Sequence, residues 1–461
     1  MKGTLPHRIT WKKAGLVLLI GDITAISILY EIVHYIRLGT SVDLLSIPFF
    51  TVLTAVLLTL YATDVYRVEV PVALSRLPLT VAFASLFSIL VSAAIIYAFG
   101  PLQFESVFGR GVMPVTLILF SVWASWSRYA LSRWFEKKHE ASRWLYLGSA
   151  EKLLFLIKDF SMGASDCVIL LDDNDNKDTL PTDYTKCVQG RVSQLASADL
   201  HGITDVIVAT DHSFTDIEIS TLMKIRASGA GVFDFTAFYE QYQSKVPVIH
   251  LKHGWFVQGG GFYLLQNKIG LKIKRILDIF LSTISILILS PLLLIIGIIV
   301  KLDSNGPVFY TQLRVGLNGK CFYIYKIRSM DNNAESEGAS WAEEDDPRIT
   351  RVGRFLRRTR IDELPQLLNV LKGDMSFIGP RPERSEFIKK LVNEIPYYDL
   401  RHLVLPGISG WAQVMYPYGS SVEDSREKLE YDLFYIKNYS LLLDFAILMK
   451  TLRIILWQRG R

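Results

Sequence analysis

Hydrophobic positions come in two textures along this chain. The first third holds four nearly continuous apolar stretches, 14–35, 44–63, 78–99 and 111–127, each close to the length that spans the hydrocarbon of a bilayer. From Arg143 to about Val248 the pattern changes to short β-rich runs separated by helix-like segments. It predicts strands at 144–147, 167–171 and 206–209 and helices at 150–160 and 217–227, hence a small α/β domain with a parallel sheet. A linker containing Gly259-Gly260-Gly261 then leads into the longest apolar run, 276–300, interrupted by Asp278 and, near its middle, by Ser290-Pro291. The remainder is mixed, with helix candidates at 364–371 and 441–456. The latter combines Leu and Ile with Lys450, Arg453, Arg459 and Arg461, which suits either a membrane surface or packing on the domain's own core.

The basic residues orient the spans. Lys2, Arg8, Lys12 and Lys13 precede the first, Arg67 and Arg76 follow the second, and Arg128, Arg133, Lys137 and Lys138 follow the fourth; the other two loops carry only Arg37 and Arg110. This asymmetry places the N-terminus and everything after the fourth span in the cytoplasm. The first stretch carries Asp22 and Glu31 and is followed by further spans, so it reads as a retained helix rather than a cleaved signal. Asp22, Glu31 and His34 could line a polar pathway; with no charged partners in the other stretches, bundle contacts or interface positions are the preferred reading. Around 276–300 the charge is symmetric, with Lys268, Lys272, Lys274 and Arg275 before it and Lys301, Arg314, Lys320, Lys326 and Arg328 after it. A spanning helix with a proline kink should be asymmetric. The symmetry favours a re-entrant helical hairpin that breaks at Ser290 and Pro291, where proline removes a backbone donor, and returns to the same face.

Composition agrees with a membrane protein. Of 461 residues 50% are hydrophobic and 21% charged, and 50 Lys and Arg against 45 Asp and Glu leave only +5, too mild and dispersed for a dedicated nucleic-acid binder. So apolar a chain is not disordered. Cys167, Cys187 and Cys321 form no metal or disulfide spacing, which fits a reduced, cytosol-facing protein. The expected architecture is α plus α/β: a four-helix transmembrane bundle over 1–140, a Rossmann-like cytoplasmic domain over 141–250, a linker over 251–271, and a mostly helical domain over 272–461 with the re-entrant helix at 276–300.

Two places invite chemistry. In the α/β domain the first strand-to-helix turn, Leu147-Gly148-Ser149-Ala150, has one glycine where a dinucleotide fingerprint has three, although Asp172 and Asp173 stand where a ribose-binding acid would sit. A structural or regulatory sheet is the better reading. In the C-terminal domain Arg351, Arg354, Arg357, Arg358 and Arg360 lead directly to Asp362 and Glu363, and Leu364-Pro365-Gln366 opens a helix. A bland account makes Asp362 an N-cap and Glu363 a first-turn acid. The chemical account pairs a carboxylate nucleophile and metal ligand with cations, because attack on a diphosphate is opposed unless its oxygens are neutralised. Arg381, between Pro380 and Pro382, is a stiff arm suited to a phosphate or to a neighbouring acid.

Asn305-Gly306-Pro307-Val308-Phe309-Tyr310, Gln312-Leu313-Arg314-Val315-Gly316, Lys326-Ile327-Arg328-Ser329-Met330, Asp362-Glu363-Leu364-Pro365-Gln366, Gly373-Asp374-Met375-Ser376 and Gly379-Pro380-Arg381-Pro382-Glu383 together resemble the bacterial sugar transferase family. These are monotopic polyprenyl-phosphate phosphoglycosyl transferases. The resemblance covers about 272–461, and the front of the chain is similar to the long-form members. It departs from the family's pattern only slightly, with Ile327 where Phe is commoner and Ser409 where Thr is usual.

The resemblance implies transfer of a hexose-1-phosphate, glucose or galactose first, from a UDP-sugar to undecaprenyl phosphate with release of UMP. That reaction is the first membrane step of exopolysaccharide, capsule or O-antigen synthesis, at the cytoplasmic face of a bacterial inner membrane. It implies Asp362 as nucleophile, Glu363 beside it with both as Mg²⁺ ligands, Lys326, Arg328, Arg360 and Arg381 as phosphate contacts, and a helix break at Ser290 and Pro291. The bilayer is a partner, a homodimer is reasonable, and nucleic acid is not expected. Rival readings are a membrane-tethered nucleotide-sugar oxidoreductase or epimerase and a non-catalytic assembly scaffold.

Overall fold

A computed structural model describes residues 8–40, 47–62, 88, 111–139, 143–160, 167–251, 255–258, 262, 268–331, 346–416, 419 and 421–457. The chain divides into two units, Met1–Tyr242 and Gln243–Arg461. Most of it is helical, with a parallel sheet in the first unit, and two of the described helices are long and apolar enough to cross a membrane, over Gly15–Leu38 and Ile269–Asp303.

The first unit begins with α1 (Arg8–Leu38), α2 (Ile47–Ala62) and α3 (Val112–His139), which share a core of Ile26, Tyr30, Phe49, Val56, Leu60, Leu117 and Phe120. Apart from Ser88, the expected span at 78–99 lies outside the described residues. One expectation is corrected here, because Asp22 does have a charged partner. The α3 helix runs past its apolar stretch to His139, and this carries Arg128 inward, where its guanidinium grips the Asp22 carboxylate with both prongs at 3.1 and 2.6 Å. Both side chains are almost wholly buried, and the fork geometry is what makes such a pair tolerable. His34 takes a bundle contact, its Nδ1 lying 2.9 Å from the Thr40 carbonyl oxygen.

The same unit holds an all-parallel sheet in the order β3-β2-β1-β4-β5, where β1 is Arg143–Gly148, β2 Cys167–Leu171, β3 Val188–Arg191, β4 Ile203–Ala209 and β5 Gly231–Asp234. Trp144 and Tyr146 pack on α4 (Ala150–Phe160) and on Phe238 and Tyr239 of α6 (Phe235–Gln243), while Leu145 and Leu147 pack on Leu195 and on Ile225 of α5 (Asp216–Ala227). Burial on both faces explains the unbroken apolar strands seen in the sequence. At the turn after β1, Gly148 has φ +147°, and a Cβ there would lie 2.4 Å from the Ala209 carbonyl carbon. The seat a pyrophosphate would take at the start of α4 is filled by the chain itself, because Ala150 N–H donates to Asp175 Oδ2 at 2.6 Å. Arg191 in turn holds the Asp175 carbonyl at 2.5 Å. An acid already capping this helix repels a second anion, which disfavours dinucleotide binding.

The second unit is built on α7 (Lys268–Asp303), one helix that runs on through Ser290 and Pro291, so the break expected there is not seen. Proline cannot donate to the Leu287 carbonyl four residues back, and the Ser290 hydroxyl donates to that carbonyl instead, at 3.0 Å. Both ends of α7 are fastened to this unit, whereas apolar side chains along its middle, among them Leu287, Ile288 and Leu294, are exposed. Near its start Lys274 pairs with Asp444 at 2.8 Å, and Arg275 donates to the carbonyls of Val370 and Leu371 at 2.5 and 2.9 Å. Asp278 accepts from the Ser376 hydroxyl at 2.8 Å and from Phe377 N–H at 3.0 Å. Asp278→Ala is therefore expected to cost about 2–3 kcal/mol, because it strands two donors at once; denaturant unfolding in detergent reads this, and a loss under about 0.5 kcal/mol would refute it.

After α7 come the antiparallel hairpin β6 (Phe309–Val315) and β7 (Cys321–Ile327), then α8 (Arg351–Thr359), a 3-10 turn (Ile361–Gln366), α9 (Leu367–Lys372) and β8 (Ser376–Ile378). α10 (Ser385–Glu394) leads to β9 (Gly407–Ser409), which is parallel to β8; α11 (Trp411–Met415), α12 (Val422–Lys437) and α13 (Leu441–Trp457) follow. The core gathers Val246, Val248, Ile378, Leu391, Trp411, Leu433, Ile436 and Ile447. One face of α13 packs on the core, where Ile447 is buried and the Thr451 hydroxyl meets that of Ser409 at 2.5 Å, while Leu441, Phe445 and Leu452 stay exposed.

Candidate active site

Three short elements of the second unit bring the chemical groups together: β7 carries Lys326, the 3-10 turn carries Asp362 and Glu363, and the loop after β8 carries Arg381. Their spacing is set by backbone-directed bonds. The buried Asn369 side chain acts as a strand edge for β7, donating to the Tyr323 carbonyl at 2.7 Å and accepting from Tyr325 N–H at 3.1 Å. Arg381 is placed by a glycine lock. A Cβ on Gly379 would lie 2.4 Å from the Leu405 carbonyl oxygen, and one on Gly407 would lie 2.1 Å from Gly379 N, so only glycines let these segments close to their 2.8 and 2.9 Å backbone bonds.

Asp362 is not an N-cap. That position is held by Arg360, which lies in the left-handed region at φ 56°, ψ 20° and joins the end of α8 to the 3-10 turn. The sharp reversal there costs an arginine on the order of 1 kcal/mol and turns both carboxylates inward, where they are buried. Glu363 is the hub. Arg381 Nη2 reaches its Oε1 at 2.5 Å, Lys326 Nζ reaches the same oxygen at 3.2 Å, and Arg360 Nη1 lies 3.6 Å from Oε2.

The Asp362 carboxylate, in contrast, has no hydrogen-bond or salt-bridge partner among the described residues. Burial and the adjacent Glu363 charge push it up to about 6, while Arg381 and Lys326 hold Glu363 well below the usual carboxylate range against the cost of its burial. Burial also lowers Lys326, and Arg381 is raised by the same Glu363. Two neighbouring acids are thereby split into a fixed anion and a carboxylate poised near neutrality, a division that suits one for holding cations and the other for attack.

Lys326, Arg360 and Arg381 thus converge on the acidic pair, and Arg328 does not. Its buried guanidinium donates to the carbonyls of Asn305 and Ser304 at 3.0 and 2.7 Å, closing the C-terminal end of α7 where cations are favoured. Sequence reading missed the second layer. Arg401 donates to the Arg381 carbonyl at 2.9 Å and to Asp432 Oδ2 at 2.9 Å, with both charged side chains buried. Arg314 donates to the Pro382 carbonyl at 3.3 Å, and burial lowers it to about 10. Nothing in local spacing marks Arg401 or Asp432, whereas Arg314 stands in a motif already singled out, without a role assigned to it.

Of the two buried carboxylates, Asp362 offers unclaimed hard oxygen donors of the kind Mg²⁺ takes beside substrate phosphates and water, while both oxygens of Glu363 are already met by Arg381, Lys326 and Arg360.

Comparison with known proteins gives this geometry its relatives. Residues 269–458 match the family described as bacterial sugar transferase. The chain is 43% identical over 282 residues to the UDP-N-acetylgalactosamine-undecaprenyl-phosphate N-acetylgalactosaminephosphotransferase of Aeromonas hydrophila, covering 60% of this chain and 65% of that one. It is 43% identical over 181 residues to the UDP-glucose:undecaprenyl-phosphate glucose-1-phosphate transferase of Escherichia coli, covering 39% of each. It is also 42% identical over 187 residues to the exopolysaccharide production protein PSS of Rhizobium leguminosarum, covering 39% of this chain and 94% of the relative. The match therefore spans less than two thirds of the first two relatives and nearly all of the third. Its bounds enclose Lys326, Asp362, Glu363 and Arg381 alike, and with identity of this order across almost the whole of one relative, the chain belongs to the bacterial sugar transferase family.

Proposed function

We propose that this chain is an undecaprenyl-phosphate sugar-1-phosphate transferase acting through a covalent aspartyl intermediate, with 272–461 as its catalytic part. The observation that carries the reading is Asp362, a buried carboxylate without a direct partner, beside a Glu363 held by three cations. An Asp362 oxygen attacks the sugar-side phosphorus of a UDP-sugar; the bond from that phosphorus to the bridging oxygen breaks, and UMP leaves with the electron pair. A phosphate oxygen of undecaprenyl phosphate then attacks the same phosphorus and displaces Asp362, giving a diphosphate-linked sugar lipid. Lys326, Arg360 and Arg381 offset the phosphoryl charge in both displacements. Mg²⁺ held by Asp362, with Glu363 as a ligand once the substrate phosphates share its cations, would neutralise diphosphate oxygens further. The relatives' names cite glucose and N-acetylgalactosamine, so UDP-glucose, UDP-N-acetylgalactosamine and UDP-galactose are the donors to compare.

We read α7 as re-entrant, entering and leaving on the cytoplasmic face of the bacterial inner membrane. Support comes from the fastening of both its ends to one unit, its exposed apolar middle, and Pro291, which removes a backbone donor at the point where the helix would bend. The test is nucleotide release by nanodisc-purified protein given Mg²⁺, undecaprenyl phosphate and each donor. UMP is the expected product; UDP would mean direct glycosyl transfer and overturn the mechanism.

A further inference from the structure

The segment that follows α6 lies upstream of the family match, which begins at residue 269, yet it is built into the core of the second unit. Val246, Val248, Trp255 and Phe262 are buried there together with Trp411 of α11 and Leu433 and Ile436 of α12, and Leu251 and Phe256 pack against them. Ser244 turns the chain into this core through the left-handed region at φ 54°, which costs a serine on the order of 1 kcal/mol and persists only where neighbours hold it.

The neighbours that hold it are the two elements that support the Arg381 loop. On α12, Glu430 takes the segment twice: its backbone carbonyl accepts from Val246 N–H at 2.9 Å and its Oε1 from Val248 N–H at 3.2 Å. The buried Lys245 reaches Glu427 at 2.8 Å and Glu430 at 3.5 Å. Phe262 N–H donates at 2.8 Å to the carbonyl of Lys437, the last residue of α12, where a helix leaves its carbonyls open. On α11, Trp411 Nε1 donates to the Ser244 carbonyl at 2.8 Å.

Each element serves the site from its other side. Asp432 stands two residues along α12 from Glu430, about 200° round the helix. It holds Arg401, which holds the Arg381 carbonyl. Trp411 follows Ser409 and Gly410, and the Ser409 carbonyl accepts Gly379 N–H at 2.8 Å in the glycine lock that sets Arg381. Filling a core needs only apolar side chains, which leave helices free to slide; directional bonds to Glu430, Lys437 and Trp411 fix α11 and α12 along their axes as well. We propose that 244–251, 255–258 and 262 form a positioning strap for Arg381, holding α11 and α12 at the spacing that keeps its guanidinium on the reacting phosphates. This deepens the function proposed above and rests on it for the role of Arg381.

The test uses full-length protein in nanodiscs and reads hydrogen exchange beside UMP release. Glu430→Leu removes the acceptor of Val248 N–H while Lys245 keeps Glu427, and Glu430→Gln retains an acceptor. In Glu430→Leu, amides of 244–251 and of 376–384 should exchange faster with α8 unchanged, and Glu430→Gln should match wild type. UMP release should fall about tenfold in Glu430→Leu and stay within about twofold of wild type in Glu430→Gln. Unchanged exchange at 376–384, or full UMP release from a variant in which 376–384 has loosened, overturns the proposal. If Glu430→Leu loosens α8 equally, the fold as a whole has given way, and Trp411→Phe repeats the measurement from the α11 side; uniform loosening there also overturns it. Exchange reads the strap without turnover, so selective loosening at 376–384 in a protein whose wild type releases no UMP would sink the transfer reading and leave the strap's hold on the loop standing.

Discussion

Asp362→Asn is expected to lower UMP release by at least about a thousandfold while making the protein more stable to heat at pH 7.5. The two effects have one origin. Burial and the Glu363 charge raise the Asp362 carboxyl from its ordinary 3.8 to about 6, so the folded state binds this proton more tightly than the unfolded chain does. Between those values stability falls as pH rises, and above about 6 the full cost of the buried charge is present. Asparagine removes that charge, and with it about 1–3 kcal/mol of destabilisation. A residue merely holding the fold would show the opposite sign. The same shift sets the pH dependence of the first displacement, which needs the ionised carboxylate and should climb through a midpoint near 6. A variant that keeps a tenth of wild-type activity, or one that melts earlier, would remove Asp362 from the nucleophile's role.

The second large effect lies behind the site. Asp432→Ala leaves the buried Arg401 guanidinium without its carboxylate, and removing one member of such a pair costs about 3–5 kcal/mol. Activity should vanish with it, which by itself would show only unfolding. The informative variant is therefore Arg401→Met combined with Asp432→Leu, in which neither charge remains to be stranded. Its stability should return to within about 1 kcal/mol of wild type, yet UMP release should stay at least tenfold down because the Arg381 carbonyl has lost its donor. Unfolding curves and release rates on the same preparations separate the two. Full activity in a stable double variant would show that Arg381 needs no such support.

What could be read in the sequence was residue type at fixed spacing, and what could not was the choice of partner. Asp362, Glu363 and Arg381 stand out because a dense run of arginines, a proline-opened turn and a proline-flanked arginine are unusual locally, Lys326 enters only through the family resemblance, and the four do meet. Arg328 shares the motif with Lys326 but closes a helix end, since one step past β7 its side chain meets the carbonyls of Asn305 and Ser304 rather than Glu363. Arg401, Asp432 and the Asp22–Arg128 pair are invisible for the same reason: burial of a charge depends on residues far away in the chain, 106 positions in the last case. The α/β sheet was legible because strands buried on both faces are continuously apolar, but β3 and β5, short and only half-buried, left no such trace. The single glycine after β1 pointed away from a dinucleotide; that an acid of the chain's own occupies the seat could be seen only in three dimensions.

The hold on Arg381 acts through its carbonyl oxygen, through the prolines on either side and through glycines packed on the neighbouring backbone, and none of these contacts involves the guanidinium. The position is thus specified independently of its occupant. A lysine or histidine substituted there would be delivered to the same point beside Glu363 without rebuilding the loop. Such a separation of address from content lets the charge at that point change while the scaffold stays constant.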